Sequence, residues 1–404
     1  MMNVNFETMK KFFEVNSMQE ELLRKAFKLN NKYYYLSPDN INSKIALETG
    51  ILLFLDLCAD FDTIIASMIY RSTVSLGIST EKIKEEFNEE IAKKVGLLGL
   101  FDTNLVKPSI NNRFYMAKLI GVDVKVPIIK LVERIVTFHY IDKLSEQELA
   151  DFVIETLDYY VPITKILGIY KLKNNLEDLC FRFDNNYEKT QEIKKHISER
   201  YNNIITCIKQ KLDNSPITFK EDVTFKINQR SNYDIYRKAL EAEKTVEELN
   251  NDDDIRLSGF CSIKCLVKSK QECYIMIYLI HQFMHQIGSF NDFIGGDQGN
   301  EYHSIHTNVF IDNTLVDFRI CTNEMDNINH YGVVSDWKNN PNLQERLKNN
   351  YNFYNQLLAL DDYMDKKEFV KRYITDIVDA KVEKNSYINI PTQKVLKKFY
   401  HDED

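Results

Sequence analysis

The stretch DFIGGDQGNEYHSIHT, residues 292–307, is the most informative part of the chain for its fold. It begins with an acidic and an aromatic residue, passes through a glycine-containing polar segment and ends in Tyr302-His-Ser-Ile-His-Thr307. The segment that follows, residues 305–311, alternates apolar and polar residues and predicts a strand. A polar loop that leads directly into a strand is the first indication of a sheet.

More strands are predicted on either side of this loop. The apolar positions that indicate them are Ile217, Phe219, Val223, Phe225 and Ile227, followed by the segments 260–267 and 315–320. Helices are predicted between or after these strands, over 233–243, 273–283 and 324–337. Residues 216–340 therefore predict an α+β domain built on a mixed sheet.

The first half of the chain has the periodicity of helices up to about Leu212. Helices are predicted over 47–57, 62–70, 127–139, 147–161 and 196–212. Another is predicted to be capped by Thr80, with Ile83, Phe87, Ile91 and Val95 along one face. Pro162 is expected in the first turn of a helix ending near Gly168. The fold class is therefore α+β, an all-helical domain followed by a mixed-sheet domain, with a helical tail over 341–404.

Composition limits the classes of function. The chain has 404 residues, enough for two domains, and its net charge of −8 argues against indiscriminate binding of DNA or RNA. The longest apolar stretches, 51–55 and 274–280, are too short to span a bilayer, so no membrane partner is expected. Seven cysteines without a Cys-x-x-Cys pair indicate a reducing, cytoplasmic location.

The 292–307 stretch resembles, without gaps, the synthetase signature of the RelA/SpoT family. Residues 317–322, DFRICT, followed by Met325, Tyr331-Gly332 and Trp337, are similar to the next strand and helix of that family. Residues 155–162, ETLDYYVP, and then Leu167-Gly168, Leu172 and 176–179, LEDL, resemble the linker between its two catalytic halves. The resemblance runs from about residue 30 to 340, and the order and spacing of the fragments make it specific.

The resemblance implies a division of the chain. Residues 1–165 would form a degenerate helical domain of the histidine-aspartate (HD) hydrolase type, and residues 166–215 would form linker helices. Residues 216–340 would form a nucleotidyltransferase-like synthetase domain. Members of the family make the alarmone (p)ppGpp of the stringent response by transferring pyrophosphate from ATP to the 3′-hydroxyl of GDP or GTP, and some hydrolyse it.

The guanine-nucleotide side of the synthetase is partly retained. By resemblance, Tyr302 would stack on the base, Asn300 would contact the base edge, and His306, with Ser304 in the same loop, would lie near the phosphates. The alternative is that Tyr302 and His306 are half-buried strand residues that serve packing. The family's lysine in this loop is replaced by Gln298, and an arginine beyond Asp317 by Cys321.

The side that binds ATP and metal is poorly retained. The family's magnesium-binding aspartate falls on Gly259, whose lack of a side chain leaves no ligand unless one of Asp252, Asp253 and Asp254 replaces it. No metal ligand is therefore assigned, and Mg2+ is expected only if synthetase activity persists. The family's second carboxylate, a glutamate, falls on Asp317, which is either a base or ligand or else a surface strand residue.

Basic residues remain where the family binds ATP. The family's arginine in this region falls on Lys264, and Arg230, Arg237 and Lys238 offer further positive charge. A helix face that merely meets water is an equally good interpretation of Arg237 and Lys238.

The hydrolase half lacks its metal ligands. No histidine precedes His139, so a histidine-based metal site in the first 138 residues is excluded. By resemblance, Lys44 replaces the first histidine, Tyr70-Arg71 replaces the paired histidine and aspartate, and residues 132–137, VERIVT, replace a later ligand segment. Hydrolysis of (p)ppGpp is not expected.

Two further groups of residues favour structural roles. His281, His285, His303 and His306 have spacings compatible with zinc, but the last two belong to the nucleotide loop, so no zinc site is predicted. Cys261 and Cys265 share one face of a strand and are predicted to be core residues.

Three hypotheses of function follow. The leading one is a pseudoenzyme, a regulator that binds a guanine nucleotide or (p)ppGpp with weak or no catalysis. The alternative is a divergent but active GTP/GDP pyrophosphokinase that also binds ATP and uses Asp317. The third is a structural partner, either of a family member or of a second copy of the chain.

Overall fold

The computed structural model describes residues 6–36, 41–101, 116, 118–213, 223–241, 260–295, 302–311 and 314–350. The described residues form two compact units. One contains the residues up to Leu167 together with those from Val333 onwards, and the other is Gly168–Gly332. None of the described helices is both long and apolar enough to cross a bilayer.

The first unit is helical. Its helices are α1 (Phe6–Phe13), α2 (Ser17–Leu36), α3 (Asn42–Leu57), α4 (Phe61–Ser75), α5 (Thr80–Glu86), α6 (Glu89–Leu98), α7 (Lys125–Thr137), α8 (Glu146–Glu155) and α9 (Val161–Ile166). A 3₁₀ helix, Phe138–Lys143, follows α7, and a π-helical turn, Thr156–Tyr160, joins α8 to α9. Pro162 lies in the first turn of α9, as predicted.

The helix predicted to start at Thr80 is two helices. Ser79, not Thr80, caps α5, because its hydroxyl accepts a hydrogen bond from the backbone N–H of Lys82 at 3.3 Å. Asn88 then starts α6, and its side-chain oxygen accepts from the N–H of Ile91 at 2.8 Å. Asparagine is among the best N-cap residues, so the chain restarts a helix where the apolar spacing alone predicts continuity.

The second unit is built on a five-stranded mixed sheet. Its strands are β1 (Thr224–Gln229), β2 (Cys261–Val267), β3 (His285–Asp292), β4 (Ile305–Ile311) and β5 (Thr314–Thr322), in the order β1-β2-β5-β4-β3. The pair β2 and β5 is parallel and the other pairs are antiparallel. The helices are α10 (Tyr170–Phe181), α11 (Tyr187–Asp213), α12 (Asn232–Glu241), α13 (Lys270–Phe283) and α14 (Asn323–Tyr331). The predicted α+β class is confirmed.

The two faces of the sheet differ in character. Ile263 and Cys265 of β2 and Phe318 and Ile320 of β5 are fully buried and share one apolar core with residues of α11 and α13. Cys261 belongs to the same core, so the structural prediction for the two cysteines is confirmed. The alternate positions of the same strands carry polar side chains, because successive residues of a strand point to opposite faces. The polar face supplies the candidate site.

The strand β3 is absent from the sequence prediction. It lies at the edge of the sheet, most of its residues are exposed, and its register with β4 shifts between Ile287 and Asn291. Gly288 lies there with φ +72°, a left-handed conformation that glycine adopts without strain. An exposed, bulged edge strand needs no apolar alternation, which removes the signal that predicts strands.

The structural division differs from the predicted domain boundaries. Residues of the predicted linker, 166–215, pack in the core of the second unit, since Ile197 and Tyr201 of α11 contact the apolar face of the sheet. Residues from Val333 group with the first unit, where the indole N–H of Trp337 donates to Asp60 at 2.9 Å. Of the predicted tail, the structure describes α15 (Leu343–Asn350) as its helix. The rest of the predicted helical tail, 351–404, lies outside the described residues, and the HD assignment stays a prediction.

Candidate nucleotide-binding site

A cavity of about 330 Å³ opens on the polar face of the sheet. It is lined by residues of four strands and of α10, α12 and α14, with the loop before β4: Tyr170, Lys173, Asn174, Asn228, Gln229, Arg230, Asp234, Cys261, Ser262, Lys264, Tyr302, Ser304, His306, Asp317, Arg319, Cys321, Asn329 and His330. Its volume lies at the lower end of the range of small-molecule sites. The sheet register explains the assembly, because Lys264 is the partner of Arg319, which is also the partner of His306.

The side chains that line the cavity carry more positive than negative charge, although the chain is acidic overall. Four cationic side chains line it, Lys173, Arg230, Lys264 and Arg319, against two carboxylates, Asp234 and Asp317. The whole chain carries a net charge of −8. A concave surface with excess positive charge attracts anionic ligands and retains phosphate groups.

Asp317 lies beside an arginine that the resemblance does not assign. Its Oδ2 is 3.6 Å from Nε of Arg319, and both side chains are mostly buried. Burial raises the pKa of Asp317, and the guanidinium groups of Arg319 and Arg230 only partly offset that effect. Asp317 is therefore a half-buried cavity carboxylate, and the alternative of a surface strand aspartate is not supported.

Tyr302 and His306 form an aromatic corner with Phe293. The tyrosine hydroxyl oxygen and Nε2 of His306 are hydrogen-bonded at 2.7 Å, and the ring centroids of Phe293 and His306 are 5.0 Å apart. Burial, together with the charge of Arg319, lowers the pKa of His306 to about 4. The imidazole is therefore neutral at pH 7, and His306 can serve phosphate only as a hydrogen-bonding group.

Helix α14 holds the loop that carries Tyr302. The side-chain amide of Asn329 bonds both backbone groups of His303: its oxygen accepts from the N–H at 2.9 Å and its nitrogen donates to the carbonyl at 2.8 Å. The hydroxyl of Ser304 donates to the carbonyl oxygen of Ile320 at 3.2 Å. These bonds fix the loop to the sheet and to α14.

Lys264 contacts the same helix. Its Nζ is 2.6 Å from Oδ1 of Asp326 and 3.1 Å from Nε2 of His330. Burial alone would raise the pKa of Asp326, but hydrogen bonds from His330 and Lys264 lower it to about 2. The lysine that the resemblance assigns to the nucleotide thus already has an anionic partner.

The predicted site residues are partly brought together. Asp317, Tyr302, His306, Ser304, Arg230 and Lys264 all line the cavity. Arg237 and Lys238 are half-buried on α12 outside its lining, and Nη2 of Arg237 is 3.5 Å from Asp234. The charge of Lys238 still lowers the pKa of Asp317. Asn300, Gln298, Gly259 and residues 252–254 lie outside the described residues.

Sequence reasoning missed several lining residues, among them Lys173, Arg319, Asn329 and His330. Arg319 stands two residues after Asp317, so strand periodicity alone places both side chains on one face. Asn329 and His330 follow the same strand on α14, but no spacing rule links them to Lys264.

In the first unit, Arg71 and Glu133 belong to segments where the resemblance places metal ligands, and the two side chains form a buried ion pair. Nε of Arg71 donates to Glu133 at 2.6 Å, and Lys130 and Tyr70 also contact the carboxylate of Glu133. All four side chains are buried. Burial alone would raise the pKa of Glu133, but Arg71 and Lys130 outweigh it and lower the pKa to about 2.

The histidines considered for zinc have other contacts. Nε2 of His281 lies 2.8 Å from the hydroxyl of Thr307, and Nε2 of His306 lies 2.7 Å from the hydroxyl of Tyr302. Within the described residues, no group of three or more His, Cys, Asp and Glu side chains is arranged to hold a metal ion.

Comparison with known proteins identifies the family. A family profile described as a region found in RelA / SpoT proteins matches residues 228–342, which contain the end of β1, all of β2 to β5 and most of the residues that line the cavity. The chain is a RelA/SpoT family member. It is 28% identical over 343 residues to a guanosine-3′,5′-bis(diphosphate) 3′-pyrophosphohydrolase of Borreliella burgdorferi, covering 81% of this chain and 48% of that protein.

Two other relatives agree with this assignment. A protein of the same name from Aquifex aeolicus is 27% identical over 316 residues, 75% of this chain and 42% of its own length. A GTP pyrophosphokinase rsh of Brucella melitensis is 26% identical over 326 residues, 76% of this chain and 42% of its own length. This RelA/SpoT family member therefore spans about half the length of the curated relatives it matches.

The described cavity residues do not fit the magnesium ion that the family's synthetase chemistry implies. Mg2+ requires several oxygen ligands around one point. Asp317 faces Arg319, and Asp234 lies 3.6 Å from Lys173 and 3.5 Å from Arg237. Both cavity carboxylates are thus opposed by protein cations, which a divalent cation would have to displace.

Proposed function

We propose that this RelA/SpoT family member binds a guanine nucleotide, GDP, GTP or (p)ppGpp, in the cavity and acts as a regulator of alarmone metabolism with weak or no catalysis. The observation that carries the proposal is the cavity itself, whose lining includes the cations Arg319, Arg230 and Lys264 together with Asp317 and the ring of Tyr302. Such a site suits a phosphate group next to an aromatic ring.

The ion pair of Asp317 supports weak catalysis. Pyrophosphate transfer needs a divalent cation to neutralise the clustered phosphates, and the family's metal ligand falls on Gly259. Here, protein cations take the place of the metal as partners of the remaining carboxylate, at 3.6 Å for Arg319. That arrangement favours binding of phosphate over its transfer.

The buried charges of the first unit support a lost hydrolase. Arg71 and Lys130 bond Glu133 where the resemblance expects ligands for a metal ion. A metal cation placed there would be repelled by the positive charges of Arg71 and Lys130. We therefore assign no (p)ppGpp hydrolysis to this unit.

A second candidate function is favoured by one observation. Asp317 lies in the cavity with a raised pKa, the environment of a general base. An active pyrophosphokinase would use it to accept the proton of the attacking 3′-hydroxyl of GDP or GTP.

A cytoplasmic location is part of the proposal. All seven cysteines are thiols in the structure, and Cys180, Cys261, Cys265, Cys273 and Cys321 are buried. Thiols persist in a reducing compartment.

Calorimetry on the full chain tests the binding proposal. We expect GDP, GTP or guanosine tetraphosphate to bind, and Arg319→Gln to weaken that binding by about 10-fold to 100-fold, since a charge-assisted bond contributes roughly 1.5–3 kcal/mol. Lys270→Gln, an exposed cation at the start of α13, is the matched control and should bind as the parent does. No binding of any of these nucleotides would favour the structural-partner hypothesis instead.

Turnover separates the two candidate functions. The parent and Asp317→Ala are incubated with ATP, GDP and Mg2+, and guanosine tetraphosphate is quantified. We expect both proteins to be equally inactive. Formation of the tetraphosphate by the parent but not by Asp317→Ala would establish the pyrophosphokinase.

A further inference from the structure

The lysine on β2 that faces the cavity is already paired with a carboxylate. Nζ of Lys264 is 2.6 Å from Oδ1 of Asp326, and the exposed fractions of the two side chains are 11% and 16%. The ring of His330, one helical turn after Asp326, contacts both partners, at 3.1 Å from Nζ of Lys264 and 3.3 Å from Oδ1 of Asp326. This is a mostly buried ion pair at the wall of the cavity.

We propose that Asp326 sets the affinity of the cavity: its carboxylate occupies the anion position at Lys264, and the phosphate group of a bound nucleotide must displace it. This inference rests on the proposed function, because it concerns the same site. Asp326 therefore controls affinity and takes no part in chemistry.

The position of Asp326 is built into α14. Thr322 caps the helix, its hydroxyl accepting from the N–H of Met325 at 3.1 Å. Asp326, Asn329 and His330 then share one face, as residues three and four apart do on a helix. Asn329 on this face holds the loop of Tyr302 through His303. One helix therefore neutralises the lysine and fixes the aromatic corner.

The carboxylate is a constant competitor. The pKa of Asp326 is held at about 2 by its hydrogen bonds, so the group is ionised throughout the physiological range. Proton uptake therefore does not release Lys264 near neutral pH. Lys264 is released from Asp326 only when another anion binds the lysine more strongly.

The register of the sheet indicates which anion can displace a carboxylate. Lys264 and Arg319 are direct partners on the parallel strands β2 and β5, so their side chains leave the same face side by side. Asp326 contacts Lys264, whereas Arg319 faces Asp317. A diphosphate has enough oxygens to bond both cations at once, and this second contact offsets the loss of Asp326.

The experiment removes the negative charge of Asp326 and keeps the size and shape of its side chain. Asp326→Asn is compared with the parent by calorimetry, with GDP and with inorganic pyrophosphate as probes. Glu324→Gln is the control, since it removes one negative charge from an exposed position of the same helix. The double variant Asp326→Asn with Lys264→Met tests whether any gain passes through the lysine.

We expect Asp326→Asn to bind GDP and pyrophosphate about tenfold more tightly than the parent. Glu324→Gln should match the parent, and the double variant should lose the gain. If the parent binds GDP and a folded Asp326→Asn binds it equally or more weakly, Asp326 merely positions Lys264 and the inference is wrong, while the proposed function stands. If the parent binds neither probe but Asp326→Asn binds pyrophosphate through Lys264, the inference stands and the proposed function fails. If neither protein binds either probe, both fail.

A measurement on the unmodified protein tests the inference even if Asp326→Asn does not fold. The side-chain ammonium signal of Lys264 is followed by ¹⁵N NMR, with Lys264→Met providing its assignment. We expect the signal to shift as pyrophosphate is added, because the ammonium group exchanges Asp326 for phosphate. A signal that stays fixed at saturating pyrophosphate would overturn the inference.

Discussion

Arg319 and Cys321 show how a positive charge can move along a strand. The resemblance places an arginine at position 321, where this chain has a cysteine that lines the cavity. Arg319 lies two residues earlier on β5, on the same face, and its guanidinium is 3.6 Å from Asp317. The cavity therefore has a guanidinium beside its carboxylate, two positions before the one at which the resemblance expects it.

This relocation predicts a rescue. Cys321→Arg introduced into the Arg319→Gln variant should recover at least part of the lost GDP affinity, because the new guanidinium enters the same cavity. Calorimetry on the parent, the single variant and the double variant provides the measurement. A double variant that binds no better than Arg319→Gln, yet melts at the same temperature, would show that the position on the strand matters and not the charge alone.

Glu133 neutralises two buried cations in the first unit. Its carboxylate bonds Arg71 and Lys130, and replacement by glutamine leaves two buried cations without an anion between them. Breaking a buried pair in this way costs about 3–5 kcal/mol of unfolding free energy. We expect Glu133→Gln to lower the free energy of unfolding by this amount in urea titrations.

Glu89→Gln is the matched control for that prediction. Its pair with Lys84 is exposed, and such pairs contribute roughly 0–1 kcal/mol. Equal stability of Glu133→Gln and Glu89→Gln would mean that the buried network relaxes without Glu133.

The same carboxylate predicts that the free energy of unfolding falls as the pH falls. The pKa of Glu133 is lowered from 4.5 to about 2 on folding, so its contribution to stability is present above pH 4.5 and is lost as the pH falls towards 2. Urea titrations of the parent at pH 5, 4 and 3 should show a falling unfolding free energy. Glu133→Gln should show a smaller fall, and an identical fall would assign the effect to other carboxylates.

At the scale of elements, α14 links the loop of the aromatic corner to the sheet. Asn329 bonds both backbone groups of His303, one residue after Tyr302. Asn329→Ala removes both bonds and leaves the loop free to sample other conformations. We expect faster amide hydrogen exchange at His303 and about tenfold weaker GDP binding. Faster exchange without weaker binding would place the base away from Tyr302.

The elements also show what a sequence can predict. The strand over 305–311 is predicted with its true bounds because buried and more exposed positions alternate regularly along it. The strand β3 has no such alternation, because it is an exposed edge with a bulge at Gly288. The break at Asn88 depends on one side-chain hydrogen bond that competes with an uninterrupted apolar stripe.

The candidate site was predictable where resemblance and strand period agree. Tyr302, His306 and Asp317 are brought to one cavity, as the resemblance implies. The pairing of Lys264 with Asp326 joins positions 62 residues apart, and no local pattern encodes it. Asn300 lies outside the described residues, so its predicted contact with the base edge stays a prediction.

At the scale of the whole molecule, the chain has two units that each bury an apolar core. The core of the second unit joins the sheet to α11, α12 and α13, while helices α3, α4 and α7 contribute fully buried side chains to the first. The proposed ligand site belongs to the second unit alone. The single tryptophan, Trp337, belongs to the first, where it is 1% exposed and donates to Asp60.

This placement lets one side chain report which unit a ligand stabilises. A ligand at 100 times its dissociation constant adds about 2.7 kcal/mol to the unit that binds it. At a urea dependence of roughly 1–3 kcal/mol/M, the unfolding midpoint of that unit should rise by about 1–3 M.

With GDP we expect the circular dichroism transition of the second unit to move, while the Trp337 fluorescence transition stays in place. Adding GDP to Arg319→Gln at the same concentration should move the second-unit transition less, because 10-fold to 100-fold weaker binding leaves only about 0.4–1.4 kcal/mol of stabilisation. A Trp337 transition that follows the ligand in step with circular dichroism would instead show that the two units unfold as one cooperative body, so that nucleotide binding in the sheet unit stabilises the helical unit as well.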